Sequence, residues 1–415
     1  MPWYNRVMDI DIARGGPDDF PQLLDPVLAA FGDSLNDEQR EDVRLAYDDC
    51  HFVGARSAGR WVGTMGAYPF EVTLPGRGQV AAAGLTMVGV LPTHRRRGIT
   101  TRLMDALLDD AAGRGDVLAV LLAMEAPIYG RFGFGVASEF TSVAIEADRG
   151  RFAVEPVDDG ELVLCDPVEG SKLAEEVWDR QRLARPGAIS RRPWMWELWR
   201  RDREDDRKGD SALFWAVHLD ASGSSDGYAT YRISEGEHRG LPRYTAKVVD
   251  LVGTDADVEA ILLRFLCSLD LVREVEIPLR PVDDPLRLRL VDGRQLQVTE
   301  LGDFLWARIL DVPRAFGVRR YPFDDALVVE VEDRFRPEVG GRFLIAGGPD
   351  SARCERTDAP VDIELGASEL ASLLFGAVAP SVLADAGRLR ADDATLARAD
   401  AFFTSTPKPF NATEF

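Results

Sequence analysis

Residues Leu85–Ala111 read LTMVGVLPTHRRRGITTRLMDALLDDA. An apolar run stops at Pro92, three arginines and a glycine follow, and then Ile99, Leu103, Leu107 and Ala111 recur every four residues. That spacing predicts the buried stripe of a helix ending at Gly113–Gly115. A strand that opens into a helix through such a loop leaves several backbone N–H groups without partners at the positive end of the helix dipole, which suits an anion. Gly98 removes the Cβ that would keep a ligand away from the backbone. Arg95, Arg96 and Arg97 add charge-assisted donors matched to phosphate oxygens. The construction fits a pyrophosphate. An arginine triplet by itself is equally a solvated basic turn, but the strand–loop–glycine–helix context argues for the anion site.

The chain around this loop is acidic, with 49 Lys and Arg against 70 Asp and Glu in 415 residues and a net charge of −21. That balance disfavours nucleic acid and anionic membranes as partners, keeps the protein soluble, and draws cationic substrates toward a cleft. Hydrophobic residues make up 46%, ample for several buried cores. Cys50, Cys165, Cys267 and Cys354 lie too far apart for a CxxC pair or a disulfide framework, and His51, His94, His218 and His238 do not pair at metal-ligand spacing. Neither a metal site nor a Ser-His-Asp triad is expected. The opening MPWYNRVMDIDIARGG lacks a secretory apolar region, and no apolar run reaches the roughly 18 residues of a membrane span. A cytoplasmic location is the expectation.

Three units follow one another. In residues 1–150, MDIDIAR alternates as a strand, FPQLLDPVLAAF and DEQREDVRLAY carry helical spacing, and HFVGARSAG, RWVGTMGAYPFEVTL and QVAAAGLTMVGV are strand-like runs between turns. After the arginine loop and its helix, VLAVLLAM reads as a short strand leading into EAPIYGRFGFG. In residues 151–295, EEVWDRQRLARPGAIS and RPWMWELWRRD read as helices, ALFWAVHL and DGYATYRIS as a hairpin, and AKVVDLVGTDADVEAILLRFLCSLD as strand, loop and helix. Residues 296–415 are strand-rich through FLWARILDVPRAF, ALVVEVEDRF and GRFLIAGG, then helical in ASELASLLFG and ATLARADAFF.

The segment VGVLPTHRRRGITTRLM resembles the acetyl-CoA-binding motif of GCN5-related N-acetyltransferases, the GNAT superfamily, in which a splayed strand and an R/Q-x-x-G-x-G/A loop hold the cofactor. Val88, Gly89 and Val90 match the strand, and Arg95 to Thr100 occupy the loop frame, with Thr100 where a smaller residue is usual. PTHRRRG, IYGRFGFG, the three successive units and the ending TEF together are similar to the Eis (enhanced intracellular survival) family over the whole chain. The resemblance implies an α/β (α+β) chain of two tandem GNAT-type mixed-sheet domains and a sterol-carrier-protein-like domain. It also implies acetyl-CoA as co-substrate with no metal, and a homo-oligomer, a hexamer built as a trimer of dimers. The cofactor contacts carried over are Val88, Gly89, Val90, Arg95, Arg96, Arg97, Gly98, Ile99, Thr100, Thr101, Met124 and Glu125. In the second unit Asp250, Asp255 and Asp257 stand near the corresponding turn, where they would repel a pyrophosphate, so one cofactor site per chain is expected.

Moving an acetyl group from a thioester to an amine requires an amine without its extra proton, a stabilised oxyanion and a protonated leaving thiolate. Tyr129 carries a phenol able to protonate the sulfur and matches the family's general-acid tyrosine; an isolated tyrosine is equally a core aromatic. For the base, the resemblance points to the carboxylate of Phe415. A free α-carboxyl is a weak base, with a pKa of about 3.5, unless dehydration or a negative neighbour such as Glu414 raises it. Phe31, Asp33 and Glu414 match the family's aromatic and acidic substrate residues, which would hold an aminoglycoside, a polyamine or a lysine side chain; Asp33 is equally a candidate helix N-cap. The Asn411-Ala-Thr413 sequon reads as coincidence. Another acyl-CoA, a protein lysine substrate, or a non-enzymatic ligand-binding protein are the alternatives.

Overall fold

The structure is a computed structural model that describes residues 10–415. The first two residues of the expected strand MDIDIAR lie outside the described residues. The first seven-stranded sheet is built from β1 (Ile10–Arg14), β2 (His51–Ser57), β3 (Arg60–Thr73), β4 (Gln79–Val90), β5 (Leu118–Leu122) and β6 (Gly135–Val136), with Leu305–Ile309 as the seventh strand. Its helices are α1 (Phe20–Phe31), α2 (Asp37–Tyr47), α3 (Ile99–Arg114) and the short α4 (Ala126–Gly130). Ile99, Leu103, Leu107 and Ala111 are all buried, as the four-residue spacing predicts. Neighbours are antiparallel except β4 and β5, joined in parallel through the crossover helix α3.

A second sheet repeats this plan, with Glu161–Cys165, Phe214–Leu219, Ser225–Ser234, Tyr244–Gly253 and Val272–Arg280 in the places of β1 to β5, and helix Ala256–Cys267 in that of α3. The two sheets exchange their sixth strands. Strand β7 (Glu139–Glu146) leaves the first sheet after β6 and pairs with Val272–Arg280, while Leu305–Ile309 leaves the second sheet and inserts between β5 and β6. The sheet pairing therefore does not follow the boundaries expected at 150 and 295. Leu305–Ile309 falls in a run that reads as strand-rich, and residues 139–146 are not singled out in the sequence; in either case a periodicity names no partner.

The third unit has a five-stranded sheet ordered Ala352–Arg356, Gly341–Gly347, Asp325–Glu332, Ile363–Gly366 and Leu389–Arg390. Its helix Ala367–Phe375 is buried from Ser368 onward against the first sheet. Gly135 permits that approach, since a Cβ there would fall on the Ser368 carbonyl oxygen. The Arg308–Asp333 ion pair, 2.6 Å long and buried, ties the exchanged strand to this unit.

One helix is shorter than its sequence suggests. The run EEVWDRQRLARPGAIS leaves the α-helix at Gln181 and ends in a turn at Arg182–Ala184. Pro186 disfavours helical backbone at Arg185, and Gly187 takes a positive φ of 85°. Residues 187–190 instead run along the free edge of β3, where Ile189 bridges Val72.

Candidate active site

Pairing between β4 and β5 is confined to Ala82–Gly84 and Leu118–Val120, so beyond Gly84 the strands part. Register against β3 shifts between Gly66–Thr86 and Thr64–Gly89, with Met87 at φ 49°, a bulge that re-aims the strand end. Leu91 donates its N–H to Val62 of β3. Alternation therefore turns the backbone groups of Val90 and Val88 toward the open side. Gly89, expected as a cofactor contact, has a packing duty too: a Cβ there would stand 2.7 Å from the Pro26 oxygen and the Val27 Cα of α1.

At the mouth of the opening lies the arginine loop. Gly98 is the N-cap of α3, with φ 73° and no side-chain hydrogen bond. The helix's own bonding begins with Arg102 N–H to the Gly98 oxygen at 3.1 Å, so the preceding amides lack intrahelical acceptors. A Cβ at Gly98 would meet nothing within 4 Å, so the backbone is open to a ligand. Arg95, Arg96 and Arg97 are exposed. Arg95 donates to the Ala30 oxygen (3.1 Å) and Arg97 to the Thr93 oxygen (3.0 Å), which steadies the loop against the end of α1. Ile99 sends its side chain into the core, leaving only its amide for a ligand; Thr100 is half-buried and Thr101 exposed. An open helix N-terminus with exposed guanidinium groups beside it suits an anion.

Beyond β5, Met124 and Glu125 are exposed, Glu125 as the N-cap of α4, and Tyr129 is half-buried on that helix with its ring 6.2 Å from Phe134. Burial, reinforced by the charge of Glu125, raises the Tyr129 phenol above its ordinary pKa. Across the opening, the ring of Phe415 lies beside Gly84 and meets Phe70 edge-on at 4.9 Å. The chain's tail thus reaches the first sheet where β4 and β5 separate.

Phe31 and Asp33 follow at the end of α1, both exposed, Phe31 by 56%. Asp33 is not a helix N-cap: its carboxylate accepts from Ser34, and Asn36 caps α2 in a reciprocal box with Gln39. Glu414 is exposed. Asn411 is fully buried and bonds to Thr413, an environment closed to glycosylation.

In the second sheet the carboxylates near the equivalent turn have local partners. Asp255 caps helix Ala256–Cys267, accepting from Asp257 and Val258 N–H, and Asp250 pairs with Arg191 at 2.6 Å. A capped helix mouth ringed by carboxylates does not suit a phosphate.

Residues 11–137 and residues 187–309 each match an acetyltransferase (GNAT) domain family, and residues 312–412 match a sterol carrier protein domain family. The N-acetyltransferase Eis of Mycobacterium tuberculosis is 33% identical over 420 residues, spanning 98% of this chain and all of that protein. The chain belongs to the Eis family of N-acetyltransferases. An uncharacterized N-acetyltransferase of Streptomyces avermitilis is 38% identical over 365 residues, covering 86% of this chain and 87% of the relative. The crystal structure of Eis1 from Mycobacterium abscessus has a TM-score of 0.85 at 30% identity, covering 98% of this chain and all of that one. A GCN5-related N-acetyltransferase from Anabaena variabilis has a TM-score of 0.84 at 19% identity, covering 98% of this chain and all of that one; it speaks for the fold alone. The chain is accordingly an acyl-CoA-dependent N-acetyltransferase with the three-domain Eis architecture, and the purely ligand-binding alternative falls.

The surroundings of Phe70 include side chains that sequence reading passed over. Tyr68 and Phe70 share one face of β3, and Trp194 stacks obliquely on Tyr68 at 4.9 Å while donating to Asp49 at 3.2 Å. Of these, Phe70 makes the edge-on contact with Phe415, while Leu122, Trp194 and Phe415 all pack against the same apolar core. The aromatic pair two residues apart in AYPF was the available signal.

Proposed function

We propose that the chain transfers the acetyl group of acetyl-CoA to an amine of a polycationic small molecule by direct attack, within the opening between β4 and β5. The observation that carries the reading is the uncapped α3 terminus at Gly98, ringed by three exposed arginines, beside a strand pair that parts at Gly84. The main-chain amides of Gly98 to Thr101 and the guanidinium groups of Arg95 to Arg97 would hold the diphosphate. Val88 and Val90 would bind the pantetheine arm through backbone groups, with Gly89 keeping α1 close. Met124 and Glu125 would flank the acetyl end. The thioester supplies an acetyl group already activated toward an amine.

Three groups of the chain then divide the work. Asp33, Glu414 and the face of Phe31 would orient the cationic substrate. The Phe415 carboxylate would take the proton from the attacking amine. The Tyr129 phenol, kept protonated by its raised pKa, would give a proton to the departing sulfur. The expected assembly is a hexamer, which sedimentation velocity reads directly.

Steady-state turnover with acetyl-CoA against a panel of aminoglycosides, polyamines and lysine peptides tests the proposal. Turnover rising with the number of amines per small molecule is the expected result. Turnover confined to protein lysines, or to a longer acyl-CoA, would favour the protein-lysine or other-acyl reading and overturn this one.

A further inference from the structure

The second sheet retains the same strand opening as the first. Tyr244–Gly253 and Val272–Arg280 pair in parallel only over Tyr244–Lys247 and Val272–Glu276, and then diverge. In place of an anion cradle, the opening holds the chain's own tail. Phe410 and Ala412 line a cavity of about 230 Å³ together with Leu251, Gly253 and Arg280 of the diverging strands. Arg280 is itself neutralised by Glu259 at 2.5 Å and Asp284 at 2.6 Å, so it offers no free charge to a ligand.

Arg191 lies where the tail crosses this opening. Its side chain is wholly buried, with Trp178 stacked at 3.6 Å from the guanidinium carbon and Trp199 at 4.7 Å. Nε donates to the Thr413 hydroxyl at 2.9 Å, and a terminal nitrogen donates to the Ala412 oxygen at 3.3 Å. The other terminal nitrogen donates to the Asp250 carboxylate at 2.6 Å and the Tyr228 hydroxyl at 2.7 Å. The planar fork thus grips the tail with one edge and the second sheet with the other, a division that a lysine's point charge cannot make.

The spacing connects this grip to the first site. Arg191 follows by two residues Ile189, which bridges Val72 of β3, and Phe70 lies two residues before Val72. Thr413 in turn lies two residues before Phe415, whose ring rests on Phe70. The contacts close a short circuit between the two sheets. We propose that the second sheet's opening, lacking a phosphate cradle, is a docking cleft for the chain's own residues 407–413, and that Arg191 is the positioning residue that holds Phe415 at the first opening. The proposal rests on the reading that Phe415 acts in catalysis.

The test uses the full chain carrying Thr413→Val, which keeps side-chain volume and removes the hydroxyl that Arg191 bonds. Arg191→Lys is the second variant; it keeps a cation beside Asp250 and gives up the fork, so folding does not depend on an orphaned carboxylate. Each is measured for release of Phe415 by carboxypeptidase and for kcat and KM with acetyl-CoA. The expected result is faster release and a kcat reduced about 100-fold, the scale of an ångström-sized misplacement, with KM for acetyl-CoA unchanged and Thr413→Ser restoring both. Native-like protection of Phe415 in both variants overturns the clamp. A parallel chain extended by two glycines after Phe415 separates the two ideas. Normal turnover in the extended chain, with the tail freed in Thr413→Val, refutes the base and keeps the clamp. Lost turnover in the extended chain, with the tail still protected in Thr413→Val, keeps the base and refutes the clamp.

Discussion

The ring of Phe415 meets Phe70 edge-on, with centroids 4.9 Å apart and planes at 70°. This contact brings the last residue of the sterol-carrier-like unit to a strand of the first acetyltransferase sheet, directly over the point where β4 and β5 separate.

Gly84 leaves room for that contact. A Cβ there would stand 2.3 Å from Phe70 Cε2 and 3.1 Å from Phe415 Cε2. The larger overlap is with Phe70, whose ring must shift in Gly84→Ala, and its edge-on contact carries that shift to Phe415. Expected is a fall in kcat of about tenfold or more with KM for acetyl-CoA nearly constant, since misplacement at the reacting centre is costly and the diphosphate cradle lies elsewhere. Steady-state kinetics at saturating amine reads the split.

The arginine loop predicts the complementary split. Replacing Arg95, Arg96 and Arg97 together by glutamine removes three charges from the cradle and leaves the amides of α3 in place. Expected is a rise of about 10²-fold in Kd for acetyl-CoA, since a charge-assisted hydrogen bond contributes about 1.5–3 kcal/mol and surface exposure discounts it. The loss should shrink as salt is raised. Isothermal titration at two ionic strengths measures both effects.

Tyr129→Phe removes the proposed proton donor and keeps the ring against Phe134. General-acid groups contribute about 10²–10⁴-fold, and kcat should fall by at least the lower figure. Because burial raises this phenol, it remains protonated above the ordinary tyrosine pKa of about 10. In the native enzyme, any fall in kcat on the alkaline side that belongs to Tyr129 should therefore lie above about pH 10. A pH–kcat profile checks this.

His218 makes a separate prediction about stability. Burial opposes its charge, but the carboxylates of Asp226 at 2.6 Å and Asp158 at 3.3 Å hold its pKa above the ordinary value. Arg264 shares Asp158 at 3.0 Å and limits the effect. A folded pKa above the unfolded one means that the stabilisation is fully present below about pH 6.5 and is lost as pH rises through the folded value. Urea unfolding from pH 6 to pH 9 should show that decline in the native chain, and His218→Gln should flatten it.

Much of this was legible in the sequence. The four-residue stripe beginning at Ile99 and the loop ending at Gly98 gave helix α3 and its open mouth, because local periodicity and turn chemistry decide both. The strand exchange was not legible, since β7 and Leu305–Ile309 carry the same alternation whichever sheet they join. The Arg191 cluster was hidden for a related reason: Arg191, Tyr228, Asp250 and Thr413 are scattered along the chain and meet only in the fold. The helix expected through Ser190 failed at Arg185–Gly187, where a proline and a left-handed glycine outweigh the helical composition around them.

The central claim is that the carboxylate of Phe415, delivered beside Gly84, accepts the amine proton. Single-turnover acetyl transfer by the native chain and by a chain extended with two glycines after Phe415, at saturating acetyl-CoA and amine, tests it most directly. A rate lowered at least 100-fold with unchanged acetyl-CoA affinity is the predicted result. Equal rates in the two chains would contradict it.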